Sequence, residues 1–159
     1  MSPSRGSAAA GGLVVARNPK ARHDYHILET WEAGLVLTGT EVKSVRAGKV
    51  SLKEAFGIVH GGEVWLEAMT ISPYESGGYV NHDPRRRRKL LLHTREIRRL
   101  IGAVHQKGLT LIPLDLYFAR GRAKVTLALA RGKQLHDKRE AAKRRIAARE
   151  AERAMGRRP

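Results

Sequence analysis

No cysteine occurs among the 159 residues, which removes disulfides, thiolate nucleophiles and cysteine-based zinc sites together and points to a reducing compartment, the cytoplasm. Long apolar runs are missing too. Near the start, Leu13-Val14-Val15-Ala16 is too short for a signal-peptide core, and nothing approaches the ~20 apolar residues of a membrane-spanning helix. Acidic side chains are scarce: 15 Asp plus Glu stand against 31 Lys plus Arg, a net charge of +16. So much charge of one sign destabilises a compact state by self-repulsion and is retained where a polyanion neutralises it, so nucleic acid is the first partner to consider. An anionic membrane is the second and weaker candidate, because a surface-binding helix needs bulky apolar residues opposite its cations.

The familiar catalytic constellations are also absent. There is no Gly-x-Ser-x-Gly elbow, no dinucleotide glycine fingerprint and no His-Glu-x-x-His helix. Gly132-Lys133 fails as a phosphate loop because Gln134 follows it and position 127 is Leu127 rather than glycine. His23 and His26 lie close together, but no further cluster completes a metal site, so neither metal nor cofactor is expected. One enzymatic reading stays open: a nuclease in which Glu29, Glu32, Glu41 and Asp83 meet in space.

What is present divides into a small-residue arm at 1–12, a patterned middle at 13–130 and a charged tail at 131–159. One domain is expected from the length, with the middle as its body. Asp24 to Trp31 alternates imperfectly and predicts a half-buried strand, and Gly34 to Thr38 predicts a second short one. Val42 and Val45 before Gly48 predict a short helix with a glycine stop. Phe56 to His60 and Glu63 to Ala68 flank Gly61-Gly62, a hairpin signature. Thr94 is placed to cap a helix whose Ile97, Leu100, Ile101 and Val104 repeat at helical spacing up to Gly108. Leu109 to Phe118 and Ala123 to Ala130 predict a second hairpin. About six short strands with one long and one short helix, without βαβ alternation, predict a mainly β fold: an OB-like closed antiparallel barrel with flanking helices.

Charge placement narrows the partner. Arg85, Arg86, Arg87, Arg88 and Lys89 follow Asn81-His82-Asp83-Pro84, where the proline and polar residues predict an exposed loop able to lie along phosphates. Asn81, His82 and Asp83 carry donors and acceptors that suit base edges or 2′-hydroxyls. Arg17 to His23 is a second cationic segment, with Asn18 as a polar reader. In the tail, Asp137 and Glu140 resemble a capping box ahead of Ala, Arg, Lys and Glu. Its apolar residues are too sparse for a core-facing stripe, so it is predicted to be disordered when free and helical when bound.

Taken together, Glu32-Ala33-Gly34, Gly39-Thr40-Glu41-Val42-Lys43-Ser44, His82-Asp83-Pro84, Arg88-Lys89-Leu90-Leu91-Leu92, Leu114 to Phe118 and Gly132-Lys133 with Asp137-Lys138-Arg139 closely resemble the SmpB family of RNA-binding proteins. The resemblance runs from about Val15 to Arg139. It implies an OB-like barrel and a non-enzymatic, monomeric adapter that binds the tRNA-like domain of transfer-messenger RNA. With elongation factor Tu, such an adapter helps deliver that RNA to stalled ribosomes, its tail entering the decoding centre and empty mRNA channel of the small subunit. Carried over by position, the resemblance assigns RNA binding to Asn18, Lys20, Arg22 and His23, to Glu32, Glu41 and Lys43, and to His82, Asp83, the Arg85 to Lys89 run and Lys124, with Leu91 supporting the surface by packing. Gly132, Lys133, His136, Asp137, Lys138 and Arg139 match the tail segment that addresses the ribosome. Pro19 departs from the pattern, standing where the family usually has another cation. A general OB-fold RNA-binding or ribosomal protein is the alternative that charge and fold leave open.

Overall fold

In a computed structural model, residues 12–78, 81–106, 108–133 and 135–156 are described; all but the last residue of the predicted N-terminal arm, and Gln134, lie outside that set. Strand β1 (Leu13–Arg17) leads into the short helix α1 (Pro19–Asp24) and the long strand β2 (Tyr25–Leu35). Helix α2 (Gly39–Arg46) follows, then β3 (Val50–Ser51), β4 (Phe56–His60), β5 (Glu63–Glu67) and β6 (Thr70–Ile71). A 3-10 turn at Glu75–Gly77 precedes β7 (Arg88–Leu91), α3 (Thr94–Val104), β8 (Leu109–Ala119), β9 (Arg122–Gly132) and α4 (Leu135–Gly156).

The sheet runs β1-β8-β4-β5-β7-β2-β9, and β8 also pairs with β9. That last pairing makes a ring of six antiparallel strands with β1 added outside on β8; the mainly β expectation holds. β3 and β6 form a separate two-stranded ribbon. β8 is the hub: β9 covers it from Leu109 to Ala119, while its other side meets β4 at Leu111 and β1 from Asp115 to Phe118.

Local chemistry sets the turns. Gly61 and Gly62 have φ of 63° and 77°, and Arg120 and Gly121 have 54° and 76°, the doubly positive geometry that matches a two-residue turn to strand twist. Gly57 is required for a different reason. A Cβ there would lie 2.8 Å from the Leu111 Cβ, so β4 crosses β8 too closely for any side chain. At Pro113 the β8–β9 register shifts, and a residue lacking an N–H is best tolerated at such an irregularity.

The interior of the ring is filled by Val64, Leu66, Leu90, Leu111, Leu116, Val125 and Leu127, with Leu100 and Ala103 of α3 joining from one end. Each such large apolar side chain contributes roughly 1.5–3 kcal/mol by leaving water.

Several expectations shift in detail. The two strands read at Asp24 to Trp31 and Gly34 to Thr38 merge into β2, which pairs with β9 from Tyr25 to Gly34 with one irregularity between Ile27 and Glu29 and ends at Leu35, so Val36 to Thr38 lie outside it. α3 starts one residue earlier than a Thr94 cap implies: His93 is the cap, its N–H donating to Glu96 Oε1 at 2.9 Å. The run Arg85 to Lys89 is a loop only in its first half, since Arg88 and Lys89 belong to β7. β9 carries the sheet through Gly132, paired to Tyr25. α4 begins at Leu135, so Asp137 sits inside its first turn rather than at the cap.

Candidate nucleic-acid interface

The segment from Asn81 to Lys89 is built around a buried ion pair. Glu41 and Arg88 both have fully buried side chains, and Arg88 Nε donates to Glu41 Oε2 at 2.6 Å. Arg88 also donates to the carbonyls of Met69 at 2.7 Å, Pro84 at 3.2 Å and Asp83 at 3.3 Å. It therefore clamps the loop from inside. Glu41 accepts further from Arg86 Nη2 at 2.6 Å and from the Thr38 N–H at 2.8 Å, the latter closing the first turn of α2. Burial pushes the Glu41 carboxyl up, but the hydrogen bonds from Arg86, Thr38 and Arg88 outweigh it and hold it at about 2. Burial also works against the charge on Arg88, and Glu41 opposes that effect. Both groups stay ionised at neutral pH.

The expectation that Glu41 and Arg88 face RNA is thereby corrected: a carboxylate and a guanidinium that neutralise each other in the interior cannot touch a ligand on this surface. His82 is engaged as well. Its Nε2–H donates to the Ile71 carbonyl at 2.9 Å and its Nδ1 lies 2.9 Å from Thr40 Oγ1, so neither ring nitrogen is free to read a base. Asp83 Oδ1 accepts from the Arg85 N–H at 2.9 Å. Arg85 is exposed and makes no side-chain ion pair among the described residues. Arg87 pairs with Glu67 and lies 5.8 Å over the Trp65 ring, while Lys89 pairs with Glu63 at 2.7 Å.

A groove of about 560 Å³ opens where β2, the end of β7 and the β8–β9 turn meet. Glu32, Leu91 and Lys124 all line it, with Val36, Val42 and Phe118 as apolar wall. Gly34 leaves room for Leu91, whose Cβ would sit 3.3 Å from a Cβ at that position. Leu91 is 52 % exposed, so it presents itself in the groove rather than supporting the surface from beneath. Lys124 Nζ is 3.5 Å from Glu32 Oε1, and Tyr117 donates its hydroxyl to Glu32 Oε2. Burial and the adjacent Glu32 carboxylate push that hydroxyl well above its ordinary value, keeping it a donor. Arg46 lies 4.9 Å over the Phe118 ring. An apolar wall, a part-exposed carboxylate and a cation within one groove suit an unstacked base with its edge or a 2′-hydroxyl on Glu32.

A third group surrounds α1. Asn18 is only 8 % exposed; its Nδ2 donates to the Pro113 carbonyl at 3.0 Å and its N–H to the Leu114 carbonyl at 2.9 Å. It therefore holds the irregular stretch of β8, and its role as a polar reader is corrected. Lys20 and Arg22 are exposed, and His23 pairs with Asp24 at 2.8 Å. Lys43 lies 5.3 Å over the Tyr74 ring. The base of the tail is fastened here: the Lys133 N–H donates to the Asp24 carbonyl at 2.8 Å and its Nζ to the Arg22 carbonyl at 3.3 Å. Arg139 is exposed on α4; the side chains of His136, Asp137 and Lys138 lie outside the described set.

The four carboxylates of the nuclease reading are not gathered. Glu29 pairs with Arg99, Glu32 with Lys124 and Glu41 with Arg86 and Arg88, and no group of three or more His, Asp or Glu able to hold a metal occurs among the described residues. Nor is any helix among them long and apolar enough to cross a membrane.

The profile of the family described as "SmpB protein" matches residues 15–157. The chain belongs to the SmpB family. It is 59 % identical over 149 residues to the SsrA-binding protein of Acidothermus cellulolyticus, covering 94 % of each chain. It is 58 % identical over 148 residues to that of Mycobacterium leprae, covering 93 % of this chain and 92 % of the relative. A solved chain described as "tmRNA-SmpB: a journey to the center of the bacterial ribosome" shares 57 % identity and a TM-score of 0.65, over 84 % of this chain and 95 % of its own. The sequence reading gave no site role to several residues found here. Tyr117 and Phe118 belong to the Leu114 to Phe118 block of the resemblance; Phe118 lines the groove, and buried Tyr117 acts on it from beneath through its hydroxyl on Glu32. Arg122, in the β8–β9 turn, also lines the groove.

Proposed function

We propose that this protein binds the tRNA-like domain of transfer-messenger RNA and helps bring it, with elongation factor Tu, to stalled ribosomes in the cytoplasm. The observation that carries this reading is the convergence of Glu32, Leu91 and Lys124 in one groove, in a chain so similar to proteins named SsrA-binding protein. The ring of strands is read as a closed OB-like barrel whose wall presents that groove. Lys124 and exposed cations such as Lys20, Arg22, Lys43 and Arg85 supply affinity through phosphates, and the groove supplies selectivity. The tail from Gly132 acts separately, in the decoding centre and the empty mRNA channel. The protein works by binding and positioning, with no bond made or broken.

The test is a titration of the intact chain and a Glu32→Gln/Lys124→Ala variant against transfer-messenger RNA and ordinary tRNA over a salt series. Selective binding by the intact chain, lost in the variant, is expected. Equal and steeply salt-dependent binding to every RNA would reduce the protein to a phosphate neutraliser and defeat the reading.

A further inference from the structure

Helix α3 buries Leu100 and Ala103 and packs Ile97 and Val104 on the core. Its opposite side carries Arg95, Arg98, Arg99, Gly102 and His105, all exposed. From Gly102 the three arginines lie three, four and seven positions away and His105 three, which places all of them in one stripe with the glycine within it. Arg99 pairs with Glu29 of β2, whereas Arg95 and Arg98 make no ion pair among the described residues. Glu96, the one acid in the helix, is committed to the His93 N–H at 2.9 Å. Like charges at such spacing repel, an arrangement that a polyanion relieves.

Gly102 is an independent sign of a partner. Glycine is among the poorest residues for a helix interior. Its φ is not positive, and a Cβ there would meet nothing within 4 Å. Neither backbone conformation nor packing asks for glycine here. What it provides is bare helix backbone between the arginines, where a partner can approach closely.

We propose that the outer face of α3 is a docking surface for the sugar–phosphate backbone of transfer-messenger RNA, continuous with the groove. His93 and Glu96, at the start of α3, line that groove, and Glu29 shares β2 with Glu32. An RNA seated against Leu91 and Lys124 thus passes directly onto the stripe, where Arg95 and Arg98 meet phosphate oxygens through forked N–H pairs. The inference rests on the reading of the groove as an RNA site.

The experiment titrates the intact chain, Arg95→Gln/Arg98→Gln, Gly102→Gln and Lys124→Ala with transfer-messenger RNA across salt concentrations, alongside thermal melts. The double variant is expected to lower the slope of log affinity against log salt by roughly 0.7–0.9 for each phosphate it no longer neutralises, without a drop in melting temperature. Gly102→Gln is expected to melt higher, glutamine being the better helix former, and yet to bind more weakly, a combination that a purely structural glycine does not produce. If both α3 variants bind as the intact chain does while Lys124→Ala binds poorly, the stripe is no interface and the groove reading survives alone. If the intact chain itself fails to prefer transfer-messenger RNA over tRNA, the groove reading falls and takes this one with it. Weaker binding seen only with isolated ribosomes would overturn transfer-messenger RNA as the occupant.

Discussion

Replacing Glu41 by glutamine keeps the shape of the side chain and removes its charge, leaving Arg88 ionised in the interior without a counter-charge. The size of the effect follows from two directions. The Glu41 carboxyl lies at about 2 in place of 4.5, and at about 1.4 kcal/mol for each pH unit that difference is worth roughly 3 kcal/mol. Breaking a buried pair from one side costs about 3–5 kcal/mol in general. The sign is that of a depressed acid: the contribution is complete above pH 4.5 and drains away as pH falls toward about 2. Urea denaturation, followed by circular dichroism at neutral pH and again across that acid range, measures both quantities. Glu41→Gln is expected to lose about 3–5 kcal/mol at neutral pH and to lack the acid-dependent part that the unaltered chain shows. Glu41→Gln/Arg88→Met, in which no buried charge is left unmatched at that position, is expected to recover much of the loss. A Glu41→Gln loss below about 1 kcal/mol, or an acid dependence unchanged by the substitution, would refute the assignment of Glu41 as the anchor of the loop.

Three further outcomes are expected. Leu91→Ala is expected to change stability by no more than about 0.5 kcal/mol, since the side chain is already half exposed, while transfer-messenger RNA binding weakens; filter binding and a thermal melt on the same sample check this. Gly57→Ala drives a methyl against Leu111 and is expected to cost about 1–3 kcal/mol, read as a lower urea midpoint. Asn18→Ala leaves the buried Pro113 carbonyl without its partner and is expected to cost about 1–3 kcal/mol. RNA affinity of the protein that remains folded is then unchanged; weaker binding at full stability would restore Asn18 to the interface.

The elements that could be read from sequence were those whose cause is local. Gly61-Gly62 announces its hairpin because both positions need positive φ, and α3 announces itself because Ile97, Leu100 and Val104 recur on one face. β1 and its pairing with β8 were not legible, because five residues reading Leu-Val-Val-Ala-Arg name no partner a hundred positions away. Asn18 looked like a reader for the same reason: its acceptors are distant backbone carbonyls, on β8 and at Leu52. In the five-cation run, composition gives no hint which arginine turns inward. A signal was nonetheless there, since strand alternation puts Arg88 on the side of buried Leu90 and leaves Arg87, Lys89 and Leu91 on the other. Glu32, Leu91 and Lys124 lie far apart in the chain, and only family resemblance singled them out before the ring of strands brought them to one groove.

The two bonds from Lys133 to α1 bear on how the tail explores space. A 22-residue helix rises about 33 Å, so turning its base by ten degrees sweeps the far end through about 6 Å. Hinged at Gly132 alone, such an arm would wander over most of a hemisphere. With Lys133, two residues ahead of the helix, tied to Arg22 and Asp24, the pivot moves past Gly132 and is held by the same small helix that carries Lys20 and Arg22. Loosening that mount, without touching a single cation beyond it, would leave the charge of the tail intact and return its pivot to Gly132.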